Sequence, residues 1–278
     1  MIYTLENNKI IIKDLSQFNI VQILECGQIF RFQIDGDCAL VFSLDKFAKV
    51  KTFNDRVEIE TDDVEYFVNF FDLKTDYNQI KTELKKDKFL SKAVDYGYGI
   101  RILKNDVFEM LVSFIISANN NIGRIKKSIQ FLCEKFGKNM GEYFAFPTLT
   151  ELKKATVQDF KNAGLGYRAE QLYCTIQNLT QNQIGNIANL STEEQFQFLV
   201  TLKGVGEKVA NCVMLFGLGV MNSFPVDTWI NKVYNKLTNT VSTDRKKITK
   251  ELSDRYGSLS GYAQQFFFYY FRENKISN

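Results

Sequence analysis

The chain contains no histidine. That absence removes Ser-His, Cys-His and His-metal chemistry together and leaves Lys, Asp, Glu, Cys, Tyr and Ser as the candidate reactive groups. Proline is confined to Pro147 and Pro225, and beside abundant Lys, Asn, Ile and Phe this reads as genomic base composition rather than function. An excess of one charge is also missing: 35 Lys plus Arg against 32 Asp plus Glu leave +3 at pH 7. So small an excess rules out a basic coat that holds polyanions by charge alone, and any nucleic-acid contact must be local. The five cysteines, Cys26, Cys38, Cys133, Cys174 and Cys212, stand singly with no pair at metal-ligand spacing, which points to a reducing compartment. No apolar stretch approaches the ~20 residues of a membrane span, and the opening MIYTLENNKI lacks the basic and apolar regions of a secretion signal. A soluble, cytoplasmic protein is expected.

What is present is enough for a buried core: 278 residues, 45% of them hydrophobic, suit one large or two ordinary domains. Up to about Asp63 the chain reads as short strands, at Lys9–Ile12, 29–34, 39–44, 49–53 and 57–60. Asp35-Gly36 and Asn54-Asp55 supply turns between them, so a twisted antiparallel sheet is expected. After Thr61 the spacing becomes helical. Phe108, Leu111, Val112 and Ile115 repeat at three and four on a helix that stops near Asn119-Asn120-Asn121, and Ile122, Ile125, Ile129 and Leu132 mark the next. Ser191 and Glu194 form a capping box for a helix that buries Phe196, Leu199 and Val200. Residues 141–150 read as a connector, and the last helix, 261–272, is rich in aromatics. The expected class is α+β: an N-terminal sheet domain over 1–104, then a helical domain over 105–278.

The stretch Leu202-Lys203-Gly204-Val205-Gly206-Glu207-Lys208 lies between two helical patterns, over about 192–217. Two glycines around one apolar residue make a tight turn whose free amides, at the start of the next helix, can bind a phosphate. An ordinary turn between helices would read the same way. Such a helix-hairpin-helix contacts backbone rather than sequence, which reconciles DNA binding with a charge of +3. Lys208 falls in the first helical turn, where the helix dipole disfavours an ammonium and so favours the neutral, nucleophilic amine. Nineteen residues on, Asp227 opens a further helix. Alone it is a plain N-cap; at this distance from a hairpin lysine it is also a candidate catalytic carboxylate.

The run LKGVGEKVANCVMLFGLGVMNSFPVDTWI, residues 202–230, resembles the signature of helix-hairpin-helix DNA glycosylases that end in a Gly/Pro-rich loop and an aspartate. Four further segments, ECGQIFR at 25–31, SANNNIGR at 117–124, GLGYRA at 164–169 and GYAQQFFF at 261–268, narrow the resemblance to the 8-oxoguanine DNA glycosylase/AP lyase family. The likeness covers nearly the whole chain.

The resemblance implies a bifunctional enzyme of base excision repair that flips 8-oxoguanine out of double-stranded DNA. Lys208 would attack the sugar C1′ and form a Schiff base, with β-elimination following, while Asp227 stabilises oxocarbenium-like charge. By the same likeness, the carbonyl of Gly27 accepts the N7–H that guanine lacks. Gln264 contacts the Watson–Crick edge, and Phe268 stacks on the base with Cys212 opposite. Cys212, four residues after Lys208, also invites an ammonium–thiolate pair. Asn119 would fill the vacated stack. Arg124 and Arg168 would read the orphaned cytosine, with Tyr167 as a wedge, so cytosine opposite the lesion is the expected preference. Gly204 and Gly206 form the phosphate-binding turn. Outside the family context, Phe268 reads as a core aromatic, Gly27 as a strand-entry turn, and the two arginines as a solvated helix face.

No cofactor is implied beyond a monovalent cation held by hairpin carbonyls. An iron-sulfur cluster is not expected because no cysteine follows Cys212. A monomer with a nucleoid-associated role is the family expectation. Three positions depart from the eukaryotic pattern: Trp229 in place of a histidine that contacts phosphate, Phe271 in place of its accompanying aspartate, and Ile29 beside Gly27. Two other readings remain open, a superfamily glycosylase for a different damaged base and a non-catalytic module that uses the hairpin as a clamp.

Overall fold

Strands β1 (Tyr3–Glu6) and β2 (Lys9–Ile12) are followed by helix α1 (Ile20–Glu25) and by strands β3 (Phe32–Asp35), β4 (Cys38–Ser43), β5 (Lys46–Thr52) and β6 (Val57–Thr61). The computed structural model describes residues 3–275. The strands make one sheet in the order β1-β2-β6-β5-β4-β3, with antiparallel registers such as Ile10↔Ile59, Val50↔Ile59 and Phe32↔Val41. Period-two alternation assigns the faces: Ile10, Ile12, Val41, Val50, Val57 and Ile59 are buried, whereas Lys9, Lys51 and Glu60 on the same strands are not. Gly36 occupies the β3–β4 turn at φ +55°, a conformation that suits the glycine of a tight hairpin.

The remaining elements are helices: α2 (Val64–Phe70), α3 (Tyr77–Leu84), α4 (Lys88–Tyr96), α5 (Val107–Ser117), α6 (Ile122–Phe136), α7 (Leu149–Leu152), α8 (Val157–Asn162), α9 (Arg168–Asn178), α10 (Gln181–Asn186), α11 (Thr192–Thr201), α12 (Glu207–Gly217), α13 (Thr228–Thr238), α14 (Arg245–Tyr256) and α15 (Ser260–Glu273). Side chains cap most of them. Asp63, Asp106, Asn121, Ser191 and Asp227 each accept a first-turn amide at N-cap, which satisfies donors that the helix itself leaves unpaired.

The α+β class and its order are as expected, and several boundaries differ. β1 and α1 are additions, and the strand expected from 29 begins at Phe32. α1 spans only six residues, too few for Ile20, Ile23 and Leu24 to stand out as a helical period, although all three are buried. On α11 the buried positions are Gln195 and Leu199, with Phe196 and Val200 half-buried. Gln195 tolerates burial because its Nε2 donates to the carbonyls of Ile187 and Leu190.

Two compact units do not follow a single cut at 104/105. The first holds residues 3–41, 48–104 and 219–275; the second holds Phe42–Phe47 and Asn105–Leu218. The expected helical domain over 105–278 is thus shared between the two units, its described part 219–275 lying in the first. The reason lies in α15, which packs along α4 and sets Tyr262 against Tyr77 and Tyr269 against Tyr96, with ring centroids 5.4 and 5.6 Å apart. Aromatic pairs of this kind add about 0.5–1.5 kcal/mol each beyond their burial.

The first unit is tied by Arg101, which is fully buried. Its guanidinium donates to the carbonyls of Phe71, Gln17, Asp72 and Thr75 and lies 4.0 Å from the Tyr77 ring centre. One planar cation thus ties Gln17 to the turn at 71–75. Arg101→Met is expected to lower unfolding free energy by about 3–5 kcal/mol in urea titration, because the buried carbonyls lose their donors. A loss below about 1 kcal/mol would contradict this account.

Candidate functional site

The second unit is built around α5, which is buried almost all round and starts at Asp106, whose carboxylate accepts from the amides of Phe108 and Glu109. Burial raises the Asp106 carboxyl above its ordinary range, and the two amides oppose that shift. Helix α12 lies against α5 at close range. A Cβ on Gly217 would stand 3.0 Å from the Cα of Val107, so a larger residue there would have to push the two backbones slightly apart. Phe216 stacks on Phe114 of α5 with centroids 5.5 Å apart.

Helices α11 and α12 flank the turn at 202–206, giving the helix-hairpin-helix expected at about 192–217. Gly204 has φ +82°, and a Cβ there would come within 3.1 Å of Gln171 and 3.3 Å of Ile115. Its lack of a side chain is required by the fold. Gly206 differs: it sits at N-cap of α12 with ordinary φ −90°, and a Cβ there would meet nothing within 4 Å. No side chain caps the first turn of α12 at its N-cap glycine, and the space beside that glycine is open. This is the arrangement an anionic oxygen needs in order to approach helix amides.

Lys208 stands in that first turn, half-buried, with Nζ 5.1 Å from the centre of the Phe114 ring. The ring face attracts a cationic amine and keeps the side chain along α5 rather than extended into solvent. Cys212, one turn later on α12, is 3% exposed. Sequence reasoning did not single out Phe114, whose apolar identity is indistinguishable from that of a core residue.

The end of α5 leads to a second group of residues in the same unit. Asn119 is exposed and left-handed at φ +49°, a conformation that asparagine tolerates. Arg124 on α6 is exposed, and Tyr167 is 59% exposed. Arg168 is not the solvated residue that its helix position suggested: it is 5% exposed. Its Nε donates to Ala118 O (2.5 Å), Nη2 to Asn119 O (2.6 Å) and Nη1 to Leu165 O (3.0 Å), while its guanidinium lies 4.6 Å from the Tyr167 ring. One guanidinium thus fixes the turn that carries Asn119 to the turn that carries Tyr167.

The first unit contributes the other expected residues. Gly27 follows α1 at φ +81°, and a Cβ there would lie 2.8 Å from Cε1 of Phe268. The position is closed to other residues by both conformation and space. Phe268 is half-buried, with the Arg272 guanidinium 5.1 Å from its ring centre, and Arg272 donates to Glu25 O. Beside them the Cys26 thiol is pushed up to about 12 by burial, against the opposing charge of Arg272, which makes it an inert core group. Gln264 is buried and its Nε2 donates to Pro225 O at 3.4 Å. Buried Phe224, Pro225 and Val226 anchor the loop that ends in Asp227. Asp227 Oδ1 accepts from Trp229 N and Ile230 N, both at 2.9 Å, so the plain N-cap role is real. Trp229 stacks with Lys232 at 4.6 Å, and Phe271 is buried against Phe267 and Tyr270.

The expected residues accordingly fall into two sets. Gly204, Gly206, Lys208, Cys212, Asn119, Arg124, Tyr167 and Arg168 belong to the second unit; Gly27, Asp227, Gln264 and Phe268 belong to the first. Among the described residues, no group of three or more Cys, Asp or Glu is placed to hold a metal ion, and no helix is long and apolar enough to cross a membrane.

A helix-hairpin-helix with an uncapped glycine turn and a first-turn lysine, followed by an aspartate-capped helix, defines the class of base excision DNA repair proteins known as the HhH-GPD superfamily, whose family model matches residues 112–257. Residues 10–111 match the N-terminal domain of 8-oxoguanine DNA glycosylase. The chain belongs to the 8-oxoguanine DNA glycosylase family within that superfamily. It is 33% identical over 205 residues to the N-glycosylase/DNA lyase OGG1 of Arabidopsis thaliana, covering 66% of this chain and 55% of that protein. To the N-glycosylase/DNA lyase of Saccharomyces cerevisiae it is 32% identical over 207 residues, covering 60% and 55%. The matched region thus spans about half the length of these two relatives. The crystal structure of the Clostridium acetobutylicum 8-oxoguanine glycosylase/lyase, in complex with dsDNA containing cytosine opposite to 8-oxoG, superposes with a TM-score of 0.93 at 38% identity over 99% of each chain.

The Arg168 clamp makes a direct prediction. Arg168→Lys keeps one charge but cannot reach three diverging carbonyls, and is expected to lose about 1.5–3 kcal/mol of stability in urea unfolding. An unchanged midpoint and slope would show that the three bonds contribute nothing to the fold.

Proposed function

We propose that this protein is a bifunctional DNA glycosylase/AP lyase that everts 8-oxoguanine from duplex DNA and excises it. The observation that carries the reading is Lys208, an amine in the first turn after an uncapped glycine hairpin, seated over Phe114. Support comes from the N-glycosylase/DNA lyase names of the relatives and from the neighbour that binds 8-oxoG in dsDNA.

In the proposed reaction, the hairpin amides around Gly204 and Gly206 hold a backbone phosphate, and the damaged nucleotide leaves the stack at a cost of a few kcal/mol. Asn119 fills the gap and Tyr167 wedges beside it. Gly27 O accepts N7–H of the lesion, which guanine lacks; guanine would instead oppose one acceptor to another, and the unmatched polar pair is penalised. Gln264 reads the Watson–Crick edge, and Phe268 and Cys212 contact the ring faces.

Lys208 Nζ, after losing a proton, attacks C1′. The glycosidic bond breaks, its electron pair leaves with the base, and the base takes up a proton. Ring opening gives an imine between Nζ and C1′; loss of a C2′ proton then expels the 3′ phosphate and cuts the strand. Asp227, already polarised by two amides, stabilises the cationic sugar and assists proton transfer. A monovalent cation held by hairpin carbonyls would steady the turn without taking part in this chemistry. The substrate places a monomeric enzyme on the nucleoid.

Borohydride trapping on duplex DNA containing 8-oxoguanine tests the core of this reading. The wild-type chain is expected to give a covalent adduct and Lys208→Gln none. A trapped mutant, or a wild-type chain that binds the duplex without trapping, would favour a different nucleophile or a binding-only module.

Opposite-base choice is assigned to Arg124, which is exposed, and to Arg168, which reaches cytosine only by exchanging its carbonyl partners. Single-turnover excision is expected to be at least tenfold faster opposite cytosine than opposite adenine, with Arg124→Ala narrowing the ratio. Equal rates opposite all four bases would remove the assignment.

A further inference from the structure

Helix α15 buries Ser260, whose hydroxyl donates to Gly257 O, and two adjacent glutamines, Gln264 and Gln265, which are 5% and 1% exposed; the rest of its buried face is largely apolar. A polar atom buried without a partner loses its hydration and gains nothing in return, so an amide at such a position ordinarily finds bonds on both sides. Gln265 finds none at either Oε1 or Nε2, and Gln264 Oε1 is likewise unpaired. At the helical repeat, Gly261, Gln264, Gln265, Phe268 and Arg272 fall on one stripe. That stripe meets Gly27 through Phe268 and Glu25 O through Arg272. The unmet hydrogen-bonding capacity therefore gathers on the face that carries the proposed base-reading residues.

We propose that Gln265 is a further specificity-determining residue, whose amide donates to the O6 carbonyl of an everted guanine-type base while Gln264 Oε1 accepts from N1–H and N2–H. This deepens the functional reading above and rests on it. The division follows from what is already engaged. With Nε2 on Pro225 O, Gln264 presents an acceptor alone, which suits the two donors of the guanine edge. The remaining group of that edge, O6, is an acceptor and requires a donor. Gln265 Nε2 is a donor on the same stripe with no partner of its own. Arg272 Nη1 is also unpaired, but its guanidinium is seated over the Phe268 ring and bonded to Glu25 O. An adenine-type edge would turn its N1 acceptor toward Gln264 Oε1, so the pair of glutamines selects against it.

The test compares wild type, Gln265→Met and Gln265→Ala in two single-turnover assays: excision of 8-oxoguanine from duplex DNA, and cleavage of a preformed abasic site, which contains no base to read. The ratio of the two rates cancels any inactive fraction of a variant. It is expected to fall about tenfold in both variants, one hydrogen bond to a buried amide being lost. Gln265→Met is further expected to unfold at a higher temperature than wild type, because a buried unpaired amide is replaced by an apolar chain of similar size. A ratio within twofold of wild type in both variants overturns the assignment of Gln265 while leaving the functional reading intact. A wild-type chain that cleaves abasic sites but not 8-oxoguanine overturns both.

Discussion

The close approach of α12 to α5 is the constraint on which the placement of Lys208 depends. Gly217 lets the two backbones meet at its end of the pair, where a Cβ would stand 3.0 Å from Val107 Cα, and Phe216 then stacks on Phe114. The same ring supports Lys208 Nζ, and Ile115, the next residue of α5, sits against Gly204 of the hairpin. Positions 204, 208, 216 and 217 are thus all indexed to one buried helix. The register of α12 on α5 fixes at once the glycine turn and the amine beside it. A shift of one residue along α12 rotates the helix by about 100° and would carry the amine off the Phe114 face. Because α5 ends in the turn of Asn119, the same helix also sets where the Arg168 clamp begins.

In the first unit α15 has the corresponding role. Its stripe of Gln264, Gln265, Phe268 and Arg272 is held against residues 25–27 by a contact that only a glycine with positive φ permits. A rigid aromatic pressed on a backbone that has no side chain leaves the Gly27 peptide no freedom to reorient. For the proposed discrimination, in which the Gly27 carbonyl accepts a single N–H, such rigidity would matter more than affinity, since a mobile carbonyl would adapt to guanine as well.

Much of this was legible in the sequence because it rests on local chemistry. The capping box at Ser191, the hairpin glycines and the cap at Asp227 are written in residues close together in the chain, and each has one dominant physical use. What was not legible depends on partners far apart in sequence. Arg168 reads as a solvated helix residue until Ala118 and Asn119, about fifty positions earlier, bring two carbonyls to it. Phe114 is one apolar residue among many until Lys208 is laid over it. Residues 219–275 read as a continuation of the helical domain, because a helix pattern does not say which neighbour it will pack on; the pairing of Tyr262 with Tyr77 and Tyr269 with Tyr96 decides that. Gln265 is an intermediate case. Two glutamines inside an aromatic run are visible in the sequence, but that both ends of the second lack a partner is visible only in three dimensions.

The departures at Trp229 and Phe271 follow from the same burial argument. Phe271 is 8% exposed and packs against Phe267 and Tyr270. The aspartate of the eukaryotic pattern, placed in that setting, would be a buried carboxylate, tolerable only with a cation or several donors beside it. The histidine of the same pattern is such a group; tryptophan is not, having a single N–H and no charge. At position 271 an aromatic side chain packed against Phe267 and Tyr270 is therefore favourable. The cation near this end of α13 is then Lys232, held on the Trp229 ring at 4.6 Å. A compact ammonium on an aromatic face keeps a positive charge in the region without requiring a buried partner.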